Sequence, residues 1–349
     1  MIGGIVTLLL RSMSSPGRRP LALLLGVLAA GALSCATGGG SKPAGGSTDN
    51  PPAEAAGKER TVAQLAASLK DPDLNVRLAA VEELGHRAAT SDDAVAAVVG
   101  AFSDEAPLVR RFAAGGLAGI PAPSTRTVLA LARLLKDPEN EPRESAARTL
   151  AALAPHSPAD AVAELAAALA AAGADSQETV RSYALAALGG LGARGAGFPA
   201  VKAALERGLA DPNEEVRGAA AAAAGEIGLA APWTIGLLTR ALADPVHDVR
   251  KQAVIALEKI GPPAAPATKA IARLLRGEQI YLRVYAADAL TSIGPGARAA
   301  LPDLKAMVKR GWKSLEDSKE MEAKDLPEAV ARAIRSIEAK GPAKDNKKS

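Results

Sequence analysis

The sequence predicts an all-α protein, an α-solenoid of about seven to eight helical hairpins. An arginine recurs seven times at one place in a repeated segment, at successive spacings of 33, 33, 38, 36, 33 and 33 residues. An aspartate stands six residues before the arginine in six of the seven copies. A fixed period in this range, with helix-hairpin content, is typical of stacked helix pairs. The arginines are Arg77, Arg110, Arg143, Arg181, Arg217, Arg250 and Arg283.

The first copy shows how each repeat yields two helices. Val62, Leu65 and Leu69 recur at helical spacing and predict a short first helix with one apolar face. Asp71-Pro72 ends it, because proline cannot continue a helix but suits the first turn of the next, and the aspartate is expected to cap that second helix. Helices this short cannot bury their apolar faces alone, so each repeat needs neighbours.

Three positions after each arginine are predicted to pack in the core. Residues three and four places on are small or aliphatic in every copy, as in Ala80-Val81 and Ala184-Leu185. The residue seven places on is leucine in every copy except the fifth, which has Ala224. Small side chains let helices approach closely, which explains how the chain folds with only 2% aromatic residues.

The repeated pattern of Asp-Pro, Val-Arg and an alanine- and leucine-rich helix resembles HEAT repeats, in particular the short HEAT-like variety of phycobilisome lyases. The resemblance covers roughly residues 61–295. It implies that the second helices line a concave face and that aspartates and arginines form a hydrogen-bonded ladder between repeats. The matching aspartates are Asp71, Asp104, Asp137, Asp175, Asp211 and Asp244, whereas Gly277 replaces the aspartate in the last copy.

The C-terminal part predicts a degenerate eighth hairpin, at about 296–339, that caps the solenoid. Its last amphipathic helix is expected from about Pro327 to Glu338, with Pro327 where the arginine should be. Terminal repeats need a polar outer face, which this charged segment supplies. The solenoid is therefore assigned to residues 61–339, and the short polar tail 340–349 is expected to be disordered.

The N-terminal part resembles a bacterial lipoprotein signal. The 13-residue apolar run Leu21–Leu33 follows Arg18-Arg19 and is too short to span a bilayer. It leads into Ala32-Leu33-Ser34-Cys35, which resembles a lipobox, although Ala32 stands where leucine is most usual. The resemblance implies that residues 1–34 are removed and that Cys35, the chain's only cysteine, carries the lipid. A plain cleaved signal with an incidental cysteine, or a short anchor, is the alternative.

Residues 35–60 are rich in Gly, Ser and Pro and are predicted to form a disordered tether. Ala36 rather than aspartate follows the cysteine, which in a Gram-negative bacterium implies an outer-membrane lipoprotein facing the periplasm. In another organism the protein is expected to be secreted or membrane-anchored. Translation is expected to begin at Met1 or at Met13.

Charge argues against a nucleic-acid partner despite the formal net charge of +4. Of 42 basic and 38 acidic residues, six and three lie in residues 1–60, and four and one in 340–349. This leaves 32 basic and 34 acidic residues for the repeats. Nucleic-acid binding needs a clustered positive face, which this balance does not provide. The expected partner is a protein or peptide, with the membrane contacted only through the lipid.

No catalytic, cofactor or metal site is predicted. His86, His156 and His247 are scattered, and none stands at helical spacing from another. Deoxyhypusine hydroxylase uses HEAT-like repeats with His-Glu pairs for iron, but this chain contains no His-Glu dipeptide. Phycobilin lyases are similar only in the repeat unit. An enzyme of the hydroxylase or oxidoreductase type remains one alternative, and a purely structural envelope spacer is another.

The sequence thus predicts a lipid-anchored, non-catalytic scaffold that binds a protein or peptide at the cell envelope. Aromatic side chains often anchor partners at interfaces. We therefore take Tyr183, Tyr281, Tyr285 and Trp312 as candidate contacts, with packing between repeats as the alternative role.

Overall fold

The computed structural model describes residues 59–312 and 323–339, and within them the chain is helical with no strand. Eight hairpins follow one another, each made of a first (odd-numbered) and a second (even-numbered) helix. The all-α solenoid predicted from the sequence is confirmed. The helices are α1 (Val62–Ser68), α2 (Leu74–Arg87), α3 (Asp92–Gly100), α4 (Pro107–Gly116), α5 (Thr125–Leu134), α6 (Asn140–Leu153), α7 (Val162–Ala172), α8 (Glu178–Gly190), α9 (Pro199–Gly208), α10 (Glu214–Ile227), α11 (Trp233–Ala241), α12 (His247–Ile260), α13 (Thr268–Leu274), α14 (Ile280–Ile293), α15 (Leu301–Arg310) and α16 (Leu326–Glu338).

The start of the first hairpin differs from the expectation. Glu59 and Arg60 were assigned to the tether, but the carbonyl of Arg60 accepts a hydrogen bond from Nη1 of Arg87 at 2.6 Å. The Arg60 side chain also pairs with Glu83. These contacts join Arg60 to the second helix of the hairpin, so the tether ends before residue 60. The predicted signal 1–34, the tether as far as residue 58 and the tail 340–349 lie outside the described residues.

Local capping bonds set where the first two helices begin. Thr61 and Gln64 form a reciprocal capping box at the start of α1. At the start of α2 the capping side chain is Asp73, which accepts from the N–H of Asn75. The expectation that Asp71 caps this helix is therefore corrected. Its carboxylate accepts the N–H of Asp73 instead and stabilises the turn before the helix.

One continuous hydrophobic core runs from Leu65 to Ile337, formed mainly by Leu, Ala and Val. Each second helix packs on the next one along the chain, and these contacts are more extensive than those between successive first helices. Small residues allow this close approach. A Cβ placed on Gly189 would lie 2.7 Å from the Cα of Ala223, and one on Gly225 would lie 2.5 Å from the Cβ of Ala256. These contacts join the residue eight places after one ladder arginine to the residue six places after the next.

The eighth hairpin closes the array by a different set of contacts. In α16, Arg332 donates to Asp288 of α14 at 2.7 Å, and the Ser336 hydroxyl donates to the carbonyl of Thr291 at 2.8 Å. From the first contact to the second, the residue number increases in both helices, so α16 runs parallel to α14. Its buried residues, Ala329 and Ile337 among them, complete the core. No helix within residues 59–312 and 323–339 combines the length and apolar character that crossing a membrane requires.

Candidate functional site: the arginine–aspartate ladder and the second-helix face

A ladder of ion pairs links the repeats, and Arg181 shows its geometry. Its Nε and Nη2 donate to the two carboxylate oxygens of Asp211 in the next repeat, at 2.8 and 2.9 Å. Its Nη1 donates to the carbonyls of Asp175 and Ser176 in its own repeat, at 2.9 and 3.2 Å. Each guanidinium thus joins the turn of one repeat to the turn of the next. The same arrangement occurs in Arg77–Asp104, Arg110–Asp137, Arg143–Asp175 and Arg217–Asp244.

Four of the ladder carboxylates have lowered pKa values, and Asp211 shows the physical cause. Asp211 also accepts the N–H of Asn213 at 2.9 Å, and the side chains of Arg181 and Asp211 are only 15% and 10% exposed. Burial by itself raises the pKa of Asp211, but the hydrogen bonds from Arg181 and Asn213 outweigh burial and lower it below its ordinary value. The pKa values of Asp137, Asp175 and Asp244 are lowered by the same balance.

The ladder stops after Asp244. In the following repeat Gly277 stands in the aspartate position, and Nη2 of Arg250 reaches only the side-chain oxygen of Gln279, at 3.4 Å. Arg250 keeps its bonds to the carbonyls of Asp244 and Pro245. Arg283, assigned to the ladder from the sequence, is corrected. Its Nε donates to the carbonyl of Gly277 in its own repeat, and no described aspartate receives it.

The exposed side of the second helices forms one surface, here called the second-helix face. It consists of the residues two places before and one, two and five places after each repeat arginine, and all of them except Ser145 are exposed or half-exposed. At its N-terminal end the face combines the apolar Leu78, Leu108 and Phe112 with the charged Glu82 and Arg111. In its middle it is small, with Ser182, Ala186, Gly218 and Ala222. At its C-terminal end it carries Lys251, Tyr281 and Tyr285.

A shallow depression of about 400 Å³ lies on this face between α10 and α12. Its lining combines small or aliphatic residues with three carboxylates and one amide. The residues are Glu214, Glu215, Gly218, Ala219, Ala222, Val246, Asp248, Val249 and Gln252. A Cβ placed on Gly218 would meet no atom within 4 Å, so the depression is open above the middle of α10.

Beside the depression, aromatic and basic side chains from α12 and α14 form a cluster. The Tyr281 hydroxyl lies 2.8 Å from Nδ1 of His247, and the two rings meet edge to face with centroids 6.1 Å apart. Nζ of Lys251 lies 6.0 and 5.9 Å from the ring centroids of Tyr281 and Tyr285, within cation–π range. From the sequence alone, His247 is only one of three scattered histidines. His247 lies three residues before Arg250, and Tyr281 lies two residues before Arg283 in the next repeat. These nearly equivalent positions in successive repeats are the signal that could have paired them.

The structure does not bring all the candidate contact residues together. Tyr281 and Tyr285 share α14, whereas Tyr183 lies on α8, three repeats earlier. Trp312 follows α15, and both Tyr183 and Trp312 pack partly against the core. Cys35 lies outside the described residues.

The histidines occupy separate hairpins, with His86 near the end of α2, His156 in the turn before α7 and His247 at the start of α12. In the described part of the chain, no three side chains among His, Cys, Asp and Glu group in a way that could hold a metal ion. Outside the ladder, one described carboxyl group has a shifted pKa. Burial, and then the charge of Asp288, raise the pKa of Glu258 on α12.

Comparisons with known proteins agree with this architecture. A family model described as HEAT repeats matches residues 165–258. An engineered protein is similar in structure, with 23% identity over 80% of this chain and 79% of its own and a TM-score of 0.51. YibA of Escherichia coli is similar, with 19% identity over 78% and 92% and a TM-score of 0.51. The complex of CpcE and CpcF of phycocyanin lyase from a Nostoc species gives 26% identity over 75% and 99%, with a TM-score of 0.40. A search of curated proteins gives no match. The family match and the fold together support a HEAT-repeat domain.

Proposed function

We propose that this protein is a lipid-anchored, non-catalytic scaffold at the cell envelope that binds a protein or peptide through the second-helix face. The observation that carries the proposal is the face itself. It is a row of side chains, all but Ser145 exposed or half-exposed, that is held at a regular spacing by close helix contacts and, as far as Asp244, by the ladder. Regular spacing of this kind lowers the entropic cost of binding, because the surface is ordered before the partner arrives.

The residue types on the face support a macromolecular partner over a small substrate. The depression between α10 and α12 is open and shallow, whereas small-molecule sites are usually concave and bury most of the ligand. Tyr281, Tyr285 and Lys251 form an aromatic and cationic cluster of the kind that is enriched at protein interfaces. The separation of the three histidines supports the non-catalytic part of the proposal.

Photo-crosslinking tests the scaffold function. We would place a photoreactive amino acid at Ala222 on the second-helix face and, as the matched control, at the exposed Gly236 on the first helix α11. Irradiated cells are expected to give a discrete crosslinked species from position 222 and none from position 236. Absence of any species from position 222 would favour the structural spacer, and equal species from both positions would contradict the assignment of the face.

The lipid anchor is tested separately, because it rests on residues 21–35 of the sequence. The full chain with a C-terminal tag is expressed with a clickable fatty acid, and the envelope is fractionated beside Cys35→Ala. Label on the wild type alone, in the outer-membrane fraction of a Gram-negative host, is the expected result. An unlabelled cytosolic product would remove the anchor and reopen intracellular functions, the enzyme among them.

A further inference from the structure

The depression on the second-helix face combines an apolar floor with an acidic rim. Gly218, Ala219 and Ala222 of α10 form one side of its floor, and Val249 of α12 contributes to the other. The carboxylates belong to the first two residues of α10 and to the second residue of α12, so they line one edge of the depression. A ligand lying across the floor would therefore meet negative charge along this edge.

The rim charge is balanced only in part by neighbouring cations, since the charge of Glu214 acts on Arg217 at longer range. Within the described residues, Glu214 and Glu215 take part in no ion pair, and Asp248 pairs only with His247, at 3.3 Å. Arg217, the nearest ladder arginine, is held by Asp244 and by backbone carbonyls. The lining itself contains three carboxylates and no basic residue. Complementary charge on a partner would steer its approach and set its register.

We propose that this depression binds a positively charged segment of a partner protein, with Lys or Arg side chains at Glu214, Glu215 and Asp248 and small apolar residues over Gly218. The inference rests on the proposed scaffold function and names the chemistry of its partner.

The basic tail of this chain, residues 340–349, is the other candidate for a positively charged occupant, and its removal is therefore one arm of the test.

The test uses the purified full chain and a fluorescein-labelled nine-residue peptide of alternating Ala and Lys, with an Ala/Glu peptide as its counterpart. Gly218→Leu adds an apolar side chain at the floor, where a Cβ meets no atom within 4 Å. Gly236→Leu is its control, because a Cβ on Gly236 also meets nothing within 4 Å. Gly218→Leu is expected to weaken Ala/Lys binding by about tenfold or more, a loss typical of a central contact. Gly236→Leu is expected to change it by less than about twofold.

Charge is tested by Glu214→Gln with Glu215→Gln, against Glu164→Gln on the exposed side of α7 as the control. The double change is expected to weaken Ala/Lys binding by about fivefold, since each exposed pair contributes modestly. Added salt should weaken wild-type binding further. The Ala/Glu peptide should not bind. Circular dichroism melts check that both leucine variants are folded, and both are expected to melt above the wild type, because leucine has a higher helix propensity than glycine.

Three outcomes would overturn the inference. They are equal binding of the two peptides, equal loss in Gly218→Leu and Gly236→Leu, and a tenfold gain in affinity when residues 340–349 are removed. The last result would identify the tail as the occupant. If position 222 still crosslinks a partner while the peptide results fail, the scaffold function stands and only the chemistry of the partner is wrong. If position 222 gives no species, the scaffold function fails by its own test.

Discussion

Restoring the missing rung of the ladder should stabilise the C-terminal hairpins. Gly277→Asp would place a carboxylate where Arg250 now reaches only Gln279, at 3.4 Å. The carbonyl of residue 277 already accepts a hydrogen bond from its own repeat arginine, as in the other repeats, although Arg283 uses Nε at 2.7 Å where Arg181 uses Nη1. The new carboxylate would also meet the N–H of Gln279, as Asp211 meets that of Asn213.

The expected gain comes from two charge-assisted hydrogen bonds, reduced by the cost of ordering and desolvating the pair. Bonds to charged groups contribute about 1.5 to 3 kcal/mol, so a net gain of about 1 to 2 kcal/mol over Gly277→Ala is expected. Gly277→Ala is the matched control, because any Cβ here lies 3.3 Å from the carbonyl oxygen of Leu274 and also reduces the freedom of the unfolded chain. Both effects cancel in the comparison.

Hydrogen exchange of the α14 amides under increasing urea is the appropriate assay, since a repeat array need not unfold as one unit. Gly277→Asp should protect these amides more than Gly277→Ala does. In an Arg250→Gln background the difference should vanish, because the acceptor then lacks its donor. Equal protection in the two variants with Arg250 intact would refute the view that the ladder stabilises the interface between repeats.

Three further predictions follow from packing and charge. In urea titrations, Gly189→Ala should lower the free energy of unfolding by about 1 to 2 kcal/mol, because the clash with α10 outweighs the helix propensity of alanine. Gly218→Ala should raise the free energy of unfolding by up to about 1 kcal/mol, because its Cβ meets open space. The pKa values of Asp211 and of the other three ladder aspartates with lowered values are below those of the unfolded chain. Their contribution to folding stability is therefore complete above the unfolded pKa of about 3.9 and is lost as the pH falls through the folded pKa. The urea midpoint should drop steeply in that pH range. The raised pKa of Glu258 has the opposite sign, so Glu258→Gln should raise the urea midpoint at pH 7, and the gain should disappear below the unfolded pKa of about 4.3. A midpoint that is flat with pH, or a stabilised Gly189→Ala, would contradict the corresponding assignment.

The sequence predicted the helix pairs well because their signals are local and repeated. Periodic apolar residues, Asp-Pro turns and an arginine at constant spacing do not depend on distant contacts. The arginine and the apolar positions recur in all seven copies, and Asp-Pro recurs in four of them. The position of Asp71 was misjudged for a related reason. An aspartate before a helix can cap it or stabilise its own turn, and only the backbone geometry shows that Asp73 is the cap.

Contacts between repeats were harder to predict, because they depend on which helix positions face each other across a shared interface. His247 and Tyr281 are 34 residues apart, and neither position suggests a partner in isolation. The depression around Gly218 could not be predicted from composition, since glycine and alanine also occupy the close helix contacts at Gly189 and Gly225. A shift of one or two positions along a helix decides whether a small residue faces a neighbouring helix or open space.

The ladder also bears on how such a chain can change in length. Each rung joins one repeat only to the next, so the ladder imposes no overall repeat number. Arg217 meets Asp244, 27 residues later in the chain. A tandem duplication of residues 218–250 would place a copy of that aspartate at the same separation after Arg250. Arg250 would then form a complete rung, and its copy would face Gly277 as Arg250 does now. Growth by whole hairpins could therefore lengthen the exposed surface without redesign of the existing interfaces, which makes the number of modules, rather than the sequence within one, the easiest property to alter.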